Sequence, residues 1–126
     1  MKRIYLAVAL LLGVAMLCVG AHRYQHVQID RMLEDLSRIE AAARRGDTDA
    51  AVRDARRFAA EYQRVSDWIS CYVAHDELRE SRETAALIPV LLEDANWEEL
   101  FLEIARLRAQ LNHIRAIDDP LPQNIL

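Results

Sequence analysis

An all-α fold is predicted for this chain: one N-terminal transmembrane helix, then an antiparallel up-down four-helix bundle made of two helical hairpins. Three observations predict it. The 126 residues hold only three glycines and three prolines in a composition that is 52% apolar, which leaves few turn residues for β-hairpins or barrels. Residues 4–21, IYLAVALLLGVAMLCVGA, carry no charge. From Ile29 onward apolar side chains recur every three or four residues, the period of a helix with one buried face.

The uncharged run comes first. Its 18 residues fall within the roughly 17–25 needed to cross a bilayer and exceed the apolar core of about 7–15 found in a signal peptide. Residues 1–23 are therefore assigned as a retained membrane anchor. Val19-Gly20-Ala21 offers the small residues of a cleavage site, so a bundle secreted after cleavage is the alternative. Leu17 stands before Cys18 where a lipoprotein needs a small residue. Lys2 and Arg3 precede the run, and Arg23 and Arg31 follow it. This slight bias puts the N-terminus in the cytoplasm and the rest of a single-pass cell-membrane protein outside it. Cys18 lies inside the run and Cys71 stands alone, so no internal disulfide framework is expected.

The bundle is assigned to residues 24–119, followed by an irregular tail, 120–126. In its first helix Ile29, Met32, Leu33, Leu36, Ile39 and Ala43 share a face. Gly46 ends that helix and Asp47 caps the next, as their residue types favour. The second helix aligns Ala51, Val52, Ala55, Phe58, Tyr62, Val65, Ile69 and Tyr72. The third aligns Leu78, Ala85, Leu87, Ile88, Leu91 and Leu92, with a bend expected at Pro89. Asn96 caps a fourth carrying Leu100, Phe101, Ile104, Leu107, Leu111 and Ile114. Short connections make consecutive helices antiparallel neighbours.

A shift of 49 residues superimposes the two hairpins. Gly46-Asp47 falls on Ala95-Asn96, and nine apolar positions coincide, among them Ile29 on Leu78, Ile39 on Ile88, Phe58 on Leu107 and Val65 on Ile114. Two such units are too few for a solenoid and should close on each other. Helix one, about 22–45, and helix two, about 48–72, would each run roughly 36 Å. Trp68, Cys71, Tyr72 and His75 then return toward the bilayer. Tyr24, Trp68 and Tyr72 would suit an interfacial aromatic belt, but the simpler reading, that Trp68 and Tyr72 are core or rim residues of the bundle, takes precedence.

The basic start, the single uncharged run, the Gly46-Asp47 hairpin, Trp68 followed by His75-Asp76-Glu77-Leu78, and the ending Pro120 to Asn124-Ile125-Leu126 together resemble domain-of-unknown-function family 4363, small membrane-anchored helical proteins. The likeness covers nearly the whole chain, with departures at Thr48 and Ala50 and in the use of arginine for lysine. The resemblance brings no activity with it. It implies a partner that is itself an integral membrane protein.

Composition and motifs exclude much chemistry. Past residue 23 there are thirteen arginines, no lysine and twenty acids, a net charge of −7, which argues against a nucleic-acid surface. No GxGxxG, GxxxxGK[ST], HExxH, GxSxG or CxxC occurs, so neither an enzyme nor a bound cofactor is expected. His22, His26 and Asp30, four residues apart, stack on one helical face and could chelate a transition metal. With no fourth ligand, they read as polar residues ending the span, and no metal site is assigned. His75, Asp76 and Glu77, with Glu80 and Glu83, form the densest polar cluster. Asp76 is expected to cap the third helix and Glu77 to sit near its positive end, while His75 could respond to pH beside the bilayer. Cys71 lacks a basic neighbour that would activate it and reads as a packed thiol or an intermolecular disulfide.

The function expected is structural. An acidic helical bundle held at the membrane would bind or steady an integral membrane protein, or itself, with Trp68, Tyr72, His75, Asp76, Glu77, Glu98 and Glu99 as interaction or sensing residues. The alternative is a binding domain responsive to metal or pH.

Overall fold

The computed structural model describes residues 1–69 and 75–118, apart from the side chains at positions 69, 75, 77, 117 and 118. The described residues are helical: α1 (Lys2–Arg44), α2 (Thr48–Ile69), α3 (His75–Glu93) and α4 (Trp97–Asp118). The sequence-based reading of α2 extends to residue 72. Its last residues, the turn that begins at 73 and the tail 120–126 lie outside the described residues.

α1 joins the uncharged run to the first bundle helix without a break. Its 43 residues span about 64 Å at about 1.5 Å per residue. Residues 1–20 are exposed all round, whereas Gln25, Ile29, Met32, Leu36, Ile39, Ala42 and Ala43 are buried. The alternating steps of three and four keep those positions on one side of the helix. The uncharged part has the length and composition of a membrane span or a signal sequence.

Both described turns have one architecture. Gly46 adopts φ +80° and Ala95 φ +53°. At the first turn the Gly46 N–H donates to Ala43 O and the Asp47 N–H to Ala42 O; at the second Ala95 donates to Leu92 O and Asn96 to Leu91 O. This pair of bonds is a Schellman motif, which closes the last carbonyls of a helix with one left-handed residue. Asp47 then caps α2, its Oδ1 accepting from the Ala50 N–H at 3.4 Å. Asn96 occupies the matching position before α4, but its Nδ2 donates to Glu99 Oε2 at 2.8 Å.

The helices share one core in which α1 packs on α2 and α4, and α3 packs on α2 and α4. Phe58, Ile29, Leu36, Ile39, Leu78, Ile88, Leu92, Leu100, Ile104, Leu107 and Leu111 are its largest fully buried side chains. The 49-residue correspondence extends to burial. Eight of the nine coincident pairs are buried at both positions, and the ninth, Val52 and Phe101, is half-buried at both. Pro89 is buried inside α3, which continues past it to Glu93, even though proline supplies no donor for the Ala85 carbonyl. The buried hydroxyls of Ser66, Ser81 and Thr84 donate to carbonyls of their own helices, at 2.9, 3.1 and 3.0 Å, so they enter the core without unmet hydrogen bonds.

Candidate interaction surface

At the end of the bundle nearest the uncharged run, the His22 and His26 rings lie 4.4 Å apart. The third member of that stripe is drawn elsewhere: Arg115 of α4 donates toward Asp30 Oδ1 at 2.8 Å. Among the described residues no three His, Cys, Asp or Glu side chains gather as a metal-binding group. Trp68, near the end of α2, remains exposed and meets Tyr24 of α1 edge-on. It is therefore outside the core. Cys71 and Tyr72 lie outside the described residues.

α3 begins at His75, one residue before the expected cap. Asp76 consequently sits in the first turn, exposed, with Glu77 beside it. In that turn an acid is still favoured by the partial positive charge of the unpaired N–H groups. What changes is the role of Asp76, from capping side chain to solvated acid near the helix start.

The acidic face of α3 and α4 is only partly free. Glu80, Glu83, Asp94 and Glu98 are exposed. Glu93 accepts from Arg56 of α2, and Glu99 is held by Asn96. Glu103 is buried and pairs with Arg106 at 3.1 Å. Below this face a cleft of about 360 Å³ is lined by Glu80 of α3 and by Arg106, Ala109, Gln110, His113 and Ile114 of α4.

A feature missed in sequence is the polar seam between α1 and α4. Arg108 donates to Glu40, which Arg44 also contacts at 3.0 Å, and Arg115 pairs with Asp30. The Arg44 guanidinium lies 4.3 Å from the centre of the Phe101 ring. The hydrogen bond from Arg108 is the main influence holding the Glu40 carboxyl below its ordinary range, against a smaller opposing effect of burial. Within the core, burial pushes the Tyr62 hydroxyl above its usual value. The usable signal for the seam was position: Arg108 and Arg115 stand seven residues apart, each beside a buried residue, Leu107 or Ile114, where coiled helices place pairing charges.

A family model described as Domain of unknown function (DUF4363) matches residues 19–125. No curated protein and no solved structure matches the chain.

Proposed function

The chain belongs to the DUF4363 family, and from that premise we propose that it is a single-pass membrane protein holding an acidic helical bundle outside the cytoplasm, where it binds and steadies another membrane protein. The observation that carries this reading is the exposed uncharged stretch of α1, continuous with a helix whose later residues enter the core. Eighteen helical residues reach about 27 Å, close to the roughly 30 Å of a bilayer interior. In water so large an apolar surface would be strongly unfavourable.

An antiparallel up-down order is supported by the seam. Asp30 pairs with Arg115 and Glu40 with Arg108, so numbering rises along α1 as it falls along α4. The turns at Gly46 and Ala95 then lie far from the bilayer, and Glu98 sits beside the second of them. A binding role rather than catalysis is supported by the acids, which are either solvated on helix faces or engaged by arginine. The exposed acidic face of α3 and α4 would receive a basic region of the partner.

The test is affinity capture of the full-length protein from mildly solubilised native membranes, read by mass spectrometry and by N-terminal sequencing of the captured chain. The expected result is an intact N-terminus and a stoichiometric integral membrane partner that is lost when Glu98 and Glu99 become Arg. A chain beginning after Ala21 would overturn the anchor, and capture of no membrane protein would overturn the accessory role.

A further inference from the structure

Tyr24 and Trp68 meet edge to face, with ring centroids 6.2 Å apart and planes at 76°. Each stays about half exposed, 48% for Tyr24 and 56% for Trp68, so the contact does not serve to fill the core. Tyr24 lies three residues beyond the uncharged run, about 4.5 Å along the helix. Because Trp68 touches it, the far end of α2 is brought to the level at which α1 leaves the apolar stretch. Amphipathic aromatic rings concentrate at that level of a membrane, apolar body inward and N–H or O–H toward water. The charges nearby are compatible with a lipid surface. Arg23 is exposed next to Tyr24, and Asp67, next to Trp68, is engaged by Arg82 at 3.3 Å.

We propose that the Tyr24–Trp68 pair is a lipid-docking surface that seats this end of the bundle in the headgroup–acyl boundary. The inference rests on the membrane-anchor reading and adds to it a second attachment, through α2. With α1 alone the bundle could swing about a single helix; with Trp68 also seated its orientation to the bilayer is set.

Two tryptophans make the test direct. Trp97 opens α4, and Arg44 over Phe101 places that region at the Arg44 end of α1, about 30 Å from Tyr24 along the helix. The full chain is reconstituted into phosphatidylcholine vesicles with acyl chains brominated near the headgroup, the vesicles are floated, and fluorescence is read for the native chain, W97F and W68F. Trp68 emission, from W97F and independently from the native chain minus W68F, should be quenched about twofold while Trp97 is unaffected, as an interfacial indole requires. Equal quenching of the two, or none, in protein that floats with the vesicles would overturn the docking surface and leave the anchor standing. Protein that fails to float would overturn both.

Discussion

Gly46 and Ala95, 49 residues apart, hold the same left-handed position in two turns whose backbone hydrogen bonds correspond one for one. Only one of them is the residue that the conformation favours. At φ +53° an L-residue is strained by about 1–2 kcal/mol, whereas glycine adopts it freely at the cost of a more flexible unfolded chain, about 0.4–1 kcal/mol.

Replacing Ala95 with Gly should therefore stabilise the bundle by about 0.5–1 kcal/mol. No atom lies within 4 Å of a Cβ added at Gly46, so Gly46→Ala should cost about 1 kcal/mol through backbone strain alone. Thermal unfolding of the full chain in detergent, followed by circular dichroism, checks both. A drop in Tm for Ala95→Gly would mean that the second turn relaxes from the Schellman geometry.

The same correspondence makes a prediction in the core. Ile39 and Ile88 are equivalent positions of the same residue type, each fully buried. Truncation of either to Ala should cost about 2–5 kcal/mol, and the two losses should agree within about 1 kcal/mol if the hairpins pack alike. A much smaller loss at Ile88 would show that Pro89 leaves the α3 side loosely packed.

The helices, three of their four starts and the core stripe apart from Leu87, which is exposed, were legible because a period of three to four apolar residues leaves little choice of structure. Ile29, Leu36, Phe58, Leu107 and Ile114 were placed on buried faces from spacing alone, and each is buried. Gly46-Asp47 marked its turn by residue type. Asp76 was misplaced because its pattern suits a cap and a first-turn position equally well. The seam was legible only as a spacing, Arg108 and Arg115 seven residues apart beside buried positions, and its pairings were not. Whether Glu40 meets Arg44 on its own helix or Arg108 on another depends on how α1 and α4 are rotated against each other, and no local pattern states that. Trp68 was read as core or rim before belt for the same reason, and its contact with Tyr24 is a property of helix placement.

Glu40 should make stability fall in acid. Its carboxyl is lowered from 4.5 in the folded chain, chiefly by the hydrogen bond from Arg108. A group depressed on folding stabilises fully above its unfolded value and loses that contribution as pH falls through the folded one. Glu40→Gln and Arg108→Gln should each cost about 0.2–1 kcal/mol near neutral pH, the range for a pair open to solvent. Below the folded value Glu40→Gln should unfold at the same urea concentration as the native chain. A constant gap across the whole range would assign the effect of Glu40 to packing instead of charge.

The uncharged stretch can be disabled without touching the bundle, because residues 1–20 are exposed throughout. Leu11 and Val14 lie near its middle, three residues apart and both exposed. A charge at the centre of a span costs about 2.5–3.5 kcal/mol on insertion, so Leu11→Arg with Val14→Arg should cost about 5–7 kcal/mol and shift the protein out of the alkali-washed membrane fraction. Helix content and the unfolding midpoint of the bundle should remain those of the native chain, since neither side chain contacts the core. Retention of the double variant in washed membranes would mean that attachment comes from the bundle or its partner, and that α1 is not the anchor.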